Sequence, residues 1–130
     1  MLRVDPPAPP LRGELRPPGD KSISHRALIF GCLADGETRV RGLLEGEDVL
    51  ATLEACRQLG MRASRADDTW ILEGVGRDGL QAPVGPLDMG NSGTAMRLLA
   101  GVAILGTGPY TLTCSPRMCQ RPIGARRRRK

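Results

Sequence analysis

Apolar and polar positions alternate, then cycle, then alternate again along this chain. Leu11-Arg12-Gly13-Glu14-Leu15-Arg16 alternates with period two and predicts a short strand. Pro17-Pro18-Gly19 closes it, because neither proline can donate to a ladder. A helix follows over about Lys21–Ala34, with Asp20 as N-cap and Gly36 at its end. Ile23, Ala27, Phe30 and Ala34 recur at helical spacing and predict its apolar face. Thr38–Gly42 reads as a strand. The next helix covers about Glu47–Leu59, with its acidic start on the positive end of the dipole and Gly60 just past its close. Val49, Leu53 and Cys56 share its buried face, with Leu50 beside them. Strands at about Met61–Arg65 and Thr69–Glu73 flank a turn at Ala66-Asp67-Asp68. A loop rich in Gly and Pro reaches Leu87. A third helix starts after Gly90-Asn91-Ser92 and runs to about Leu105, and Tyr110–Cys114 predicts a last strand.

The order is β-α-β-α-β-β with a second round beginning, which predicts an α/β (α+β) layered fold with helices packed on sheets. With one Phe, one Trp and one Tyr in 130 residues, the core must be aliphatic. Residues 1–10 are Pro-rich and read as disordered or extended.

The formal charge of +5 belongs to the tail. Arg126–Arg129 and Lys130 supply it, and residues 1–125 are balanced. A small basic-tailed module binding RNA or DNA is the alternative reading, but no aromatics interleave with those arginines to stack bases, so nucleic acid is disfavoured. Cys32, Cys56, Cys114 and Cys119 form no Cys-x-x-Cys pair and there is one His, which is poor material for a metal site. Four free thiols in a reducing cytoplasm are expected. Neither a secretory leader nor a membrane span is expected.

Chemistry concentrates in three segments. In Gly19-Asp20-Lys21-Ser22-Ile23-Ser24-His25-Arg26, a helix start offers amide donors beside an ammonium, a hydroxyl and a guanidinium, with Ser22 and Arg26 four residues apart on one face. Lys21 is the one lysine before Lys130. Gly90-Asn91-Ser92-Gly93-Thr94-Ala95-Met96-Arg97 is a second small-residue loop entering a helix, where Asn91 or Ser92 can cap. Pro116-Arg117-Met118-Cys119-Gln120-Arg121-Pro122 places two arginines between prolines, which restrict the backbone around Arg121. His25 reads as a structural or solvent-facing histidine and is assigned no catalytic role.

The stretches PGDKSISHRAL, LDMGNSGTAMRLLAG and PRMCQRPIG, in that order, resemble the 5-enolpyruvylshikimate-3-phosphate synthase family, and EDVLATLEACRQLGM resembles that family's second helix. The resemblance covers about residues 11–124. It implies repeated βαβαββ units of the enolpyruvyl transferase fold, here incomplete, in a chain that reads as an N-terminal fragment. Residues 1–18 would hold the first strand and a crossover between domains, 19–124 a partial transferase domain, and 125–130 a basic tail. The implied reaction moves the enolpyruvyl group of phosphoenolpyruvate to shikimate 3-phosphate, in aromatic amino acid biosynthesis. Lys21, Ser22 and Arg26 would bind shikimate 3-phosphate. Lys21, Gly93 and Arg121 would bind phosphoenolpyruvate, and Asn91, Thr94 and Arg97 would shape that pocket. The general acid and base groups lie outside this chain, so the fragment alone is expected to be inactive. No cofactor and no metal is implied, and the full-length enzyme is expected to be a cytoplasmic monomer. Cys114-Ser115 departs from the family's glycine-containing turn.

Overall fold

The computed structural model describes residues 3, 5 and 12–121. The N-terminal stretch 6–11 and the tail 125–130, both named above, lie outside the described residues, as do Pro122, Ile123 and Gly124.

Helix α1 (Lys21–Leu33) leads into strand β1 (Asp35–Arg41). Helix α2 (Glu47–Gln58) is followed by β2 (Arg62–Ala66) and β3 (Thr69–Val75). A two-residue strand β4 (Leu87–Asp88) precedes α3 (Gly93–Ala103), and β5 (Leu112–Thr113) precedes the single turn α4 (Pro116–Cys119). The first sheet has the order β1-β3-β2, antiparallel throughout, with Asp35 opposite Val75, Arg41 opposite Thr69 and Ala66 opposite Thr69. Asp67, at the β2–β3 turn, takes a positive φ of 53°, which a short polar side chain tolerates. β4 and β5 pair in parallel.

Helix α1 packs on β3 along one side and on α2 and α3 along the other. Leu28, Val49, Leu53, Leu59, Leu72, Met89 and Leu99 fill the shared core, aliphatic as expected. Gly31 and Gly74 allow the close approach of α1 to β3. A Cβ on Gly31 would meet Leu72 Cδ1 at 2.6 Å, and one on Gly74 would collide with the carbonyl oxygens of Gly31 and Ala34. Gly60 adopts the predicted left-handed conformation after α2, φ 108°.

Several expectations are corrected. Residues 12–16 form no strand, and Leu15 is 88% exposed. An alternating segment needs a ladder partner, and β1 pairs only with β3 among the described residues. The buried face of α1 is Ser24, His25, Leu28, Ile29 and Cys32, whereas Ile23 and Phe30 are about two-thirds exposed (68% and 67%). This helix carries apolar residues on two sides. The side that carries Gly31, also buried, wins the sheet contact because it permits the closer approach to Leu72 of β3. Strand β1 begins at Asp35, with Ala34 as the helix C-cap, so Gly36 lies inside the strand. Strand β4 falls in the segment read as a loop. Cys114 and Cys119 are joined in a disulfide, with Cα atoms 5.9 Å apart, while Cys32 and Cys56 are free and buried. The single turn of α4 brings the two sulfurs within bonding reach, which spacing alone did not reveal.

Candidate anion-binding site

The first half of the site is the start of α1. Asp20 caps it as predicted, accepting from Ile23 N–H at 2.8 Å. Ser24 Oγ donates to the Asp20 carbonyl (2.7 Å) and accepts from Leu44 N–H (3.0 Å), tying the loop before α2 to this helix start. Gly19 packs against the backbone of Gly42 and Leu44, where any side chain would clash. Glu45 continues the tie, accepting from Trp70 Nε1 (3.1 Å) and Arg65 Nη1 (2.7 Å) on the sheet. The loop therefore fixes both ends of the chain that presents Lys21.

Lys21 is the first residue of α1, and its Nζ pairs with the Asp48 carboxylate at the start of α2. Lys21, Gly46, Glu47 and Asp48 line an open cleft of about 410 Å³. Ser22 and Arg26 are exposed on the same face, and Arg26 Nη1 donates to the Ser22 carbonyl at 3.0 Å. The cationic side chains are thus held by local partners, an acid for Lys21 and a carbonyl for Arg26, at a helix end whose dipole favours an anion.

The second half is the start of α3. Ser92 is the N-cap, its Oγ accepting from Ala95 N–H at 3.2 Å. The entering loop is fixed by Met89 N–H to Thr113 O (2.9 Å), Gly90 N–H to the Asp88 carboxylate (2.9 Å) and a left-handed Gly90, φ 52°. Ser115 reaches across from the β5 side. Its N–H bonds Gly90 O at 2.9 Å, its Oγ bonds Asn91 Oδ1 and also caps α4 at Met118 N–H (3.3 Å). Asn91, Arg117, Met118 and Arg121 enclose a pocket of about 270 Å³. Gly93 packs behind Met118, which lines the pocket, since a Cβ there would meet Met118 Cε at 2.8 Å. Two guanidinium groups, an amide and a helix start around one small concavity suit a carboxylate or phosphate.

Asn91 and Arg121 therefore meet in one pocket, with Gly93 against it. Thr94 is half-buried and Arg97 exposed on α3, without a side-chain hydrogen bond to the other site residues. Lys21 lines a different cleft from Arg121. The two halves are joined from inside: His25 on α1 is fully buried, with Nδ1 2.8 Å from Thr52 Oγ1 of α2 and Nε2 3.4 Å from Ser92 Oγ of α3. Of the two roles left open for this histidine, the structural one holds. Burial, foremost, and then the Lys21 and Arg26 charges hold its pKa below the ordinary 6.5, against the opposing pull of Asp48. Sequence reasoning missed Asp48 as the partner of Lys21 and Met118 as the pocket floor. Asp48 lies 27 residues from Lys21, and its place in the first turn of α2 was explained by the dipole alone. Cys119, beside Arg121, does not titrate, because it is bonded to Cys114.

The family model described as EPSP synthase (3-phosphoshikimate 1-carboxyvinyltransferase) matches residues 6–126. Two relatives from Streptococcus pyogenes, serotypes M2 and M1, both named 3-phosphoshikimate 1-carboxyvinyltransferase, are 60% identical over 105 residues, which is 81% of this chain and 24% of theirs. A solved EPSP synthase from Acinetobacter baumannii superposes with a TM-score of 0.79 at 45% identity, covering 85% of this chain and 26% of that one. The chain spans about a quarter of the length of the curated relatives it matches.

Proposed function

We propose, from the premise that this chain belongs to the EPSP synthase family, that it supplies the anion-binding helix starts of an enzyme that transfers the enolpyruvyl group of phosphoenolpyruvate to the 5-hydroxyl of shikimate 3-phosphate and releases phosphate. Lys21, Ser22 and Arg26 bind shikimate 3-phosphate at the start of α1. Arg121 and Gly93 bind phosphoenolpyruvate at the start of α3, with Lys21 reaching it from the other side. Asn91, Thr94 and Arg97 shape that pocket. The full-length enzyme is a cytoplasmic monomer on this reading.

The observation that carries the reading is the pocket of Asn91, Arg117 and Arg121 at the capped start of α3. Both substrates are polyanions, and the reaction passes through a tetrahedral species in which charge develops. Cations and amides already held in place stabilise that charge without reorganising. Lys21 is suited to a mobile role, because its flexible stem and compact charge can leave Asp48 for a substrate oxygen. No general acid or base is assigned to these 130 residues, so the chain alone binds and does not turn over.

Titrating shikimate 3-phosphate into the 130-residue chain and into Lys21→Ala tests the first half; equal affinities would remove Lys21 from the site. Phosphoenolpyruvate with Arg121→Ala tests the second half in the same way. Phosphate release from the two substrates by the purified chain would overturn the division between binding and turnover.

A further inference from the structure

A buried run of hydrogen bonds connects the starts of α2, α1 and α3, and its middle member is a histidine that the chemistry above does not use. The other bonds of its two partners set its direction. Thr52 Oγ1 donates to the Asp48 carbonyl (3.4 Å), so toward the ring it accepts, and Nδ1 must carry the proton. With the proton on Nδ1, Nε2 of the neutral ring is an acceptor, so Ser92 Oγ, which accepts from Ala95 N–H, directs its own proton to Nε2. Read from one end, Ala95 N–H bonds Ser92, Ser92 bonds Nε2, Nδ1–H bonds Thr52, and Thr52 bonds the Asp48 carbonyl. Every donor has one acceptor, which is the arrangement a buried polar network requires. The neutral ring fits this pattern: burial and the Lys21 and Arg26 charges on α1 disfavour the imidazolium, and Asp48 on α2 is the facing acid.

We propose that His25, as the Nδ1–H tautomer, is the positioning residue that sets the α3 start, with Asn91 and Gly93, against the α1 start, with Lys21. It touches no substrate. It acts because Ser92, which it grips, lies between Asn91 and Gly93 and caps their helix. The positioning role rests on the proposed function, since it needs two anion-binding helix starts; the direction of the hydrogen bonds does not. Asp48 is shared by both systems, its carboxylate pairing with Lys21 and its carbonyl ending the run.

The first test uses wild-type chain alone. Long-range ¹H–¹⁵N correlation of the imidazole at pH 7 should show one slowly exchanging proton on Nδ1 and an unprotonated Nε2. A proton on Nε2 would overturn the proposal whatever the variants do. The second test titrates inorganic phosphate while following the amides of Lys21, Ser22, Gly93 and Arg121. His25→Asn keeps a group near the Nδ1 position and loses the Ser92 bond; His25→Gln reaches the Nε2 position and keeps it. Loss of one buried hydrogen bond predicts about five- to tenfold weaker phosphate binding at Gly93 and Arg121 in His25→Asn. Binding at Lys21 and Ser22 should stay within about twofold, and His25→Gln should restore Gly93 to within about twofold of wild type. Equal behaviour of the two variants at Gly93 would overturn the positioning role. Absence of phosphate binding in wild type would instead overturn the functional reading and the positioning role together, and leave the tautomer as measured.

Discussion

Replacing Asp48 with Asn should make the chain a better anion binder. The Asp48 carboxylate occupies the Lys21 ammonium, so on the proposed reading an anion that binds Lys21 must displace it. Lys21 is 49% exposed and Asp48 23%, a half-open pair, and exposed ion pairs contribute about 0.2–1 kcal/mol. Removing that competitor therefore predicts phosphate binding tighter by about 1.4- to fivefold. Asn keeps the shape of Asp and the backbone carbonyl that receives Thr52, so the fold should lose, besides the ion pair, the favourable acid at the α2 start, about 0.3–1 kcal/mol. Calorimetric titration of inorganic phosphate into wild type, Asp48→Asn and Lys21→Ala reads the effect. The gain should shrink at high salt, where exposed charges are screened. Equal or weaker binding by Asp48→Asn would refute the idea that Lys21 is the anion's contact and Asp48 its stand-in.

Three further outcomes follow from the structure. Gly74→Ala should cost about 3 kcal/mol, the upper end for overpacking, because the clashing atoms are backbone oxygens with no rotamer to escape into; urea denaturation followed by Trp70 fluorescence checks it. His25 has a folded-state pKa below its unfolded value, so the unfolded chain binds more protons in that window and stability falls as pH drops below about 6.5. Urea midpoints from pH 7 to pH 5 should fall more steeply for wild type than for His25→Asn. Cys119→Ser should leave phosphate binding at Arg121 within about twofold, because Ser115 still holds Gly90, Asn91 and Met118, whereas Ser115→Ala keeps its N–H bond to Gly90 but loses both side-chain hydrogen bonds, to Asn91 and Met118, and should weaken it by more than about fivefold.

What the sequence revealed was set by local chemistry. Asp20 and Gly60 delimit their helices through caps that act within four residues, and the β2–β3 turn is written in Ala66-Asp67-Asp68. What needed the third dimension was hidden. Strand β4 is two residues long and carries no period. Residues 12–16 have a strand's alternation without a strand's partner, and α1 has two apolar sides between which only packing decides. The site divides likewise. Helix-start residues such as Lys21, Asn91 and Gly93 stood out by type and spacing. Asp48, Thr52 and Met118 act across 24 or more residues of chain, through contacts that no spacing encodes.

The central claim is that two helix starts share one pair of anionic substrates. Amide spectra of the ¹⁵N-labelled chain, with shikimate 3-phosphate added first and phosphoenolpyruvate second, test it most directly. The account predicts saturable shifts at Lys21 and Ser22 on the first addition, then at Gly93 and Arg121 on the second. Shifts scattered over surface arginines such as Arg39 and Arg62, or none that saturate, would contradict it.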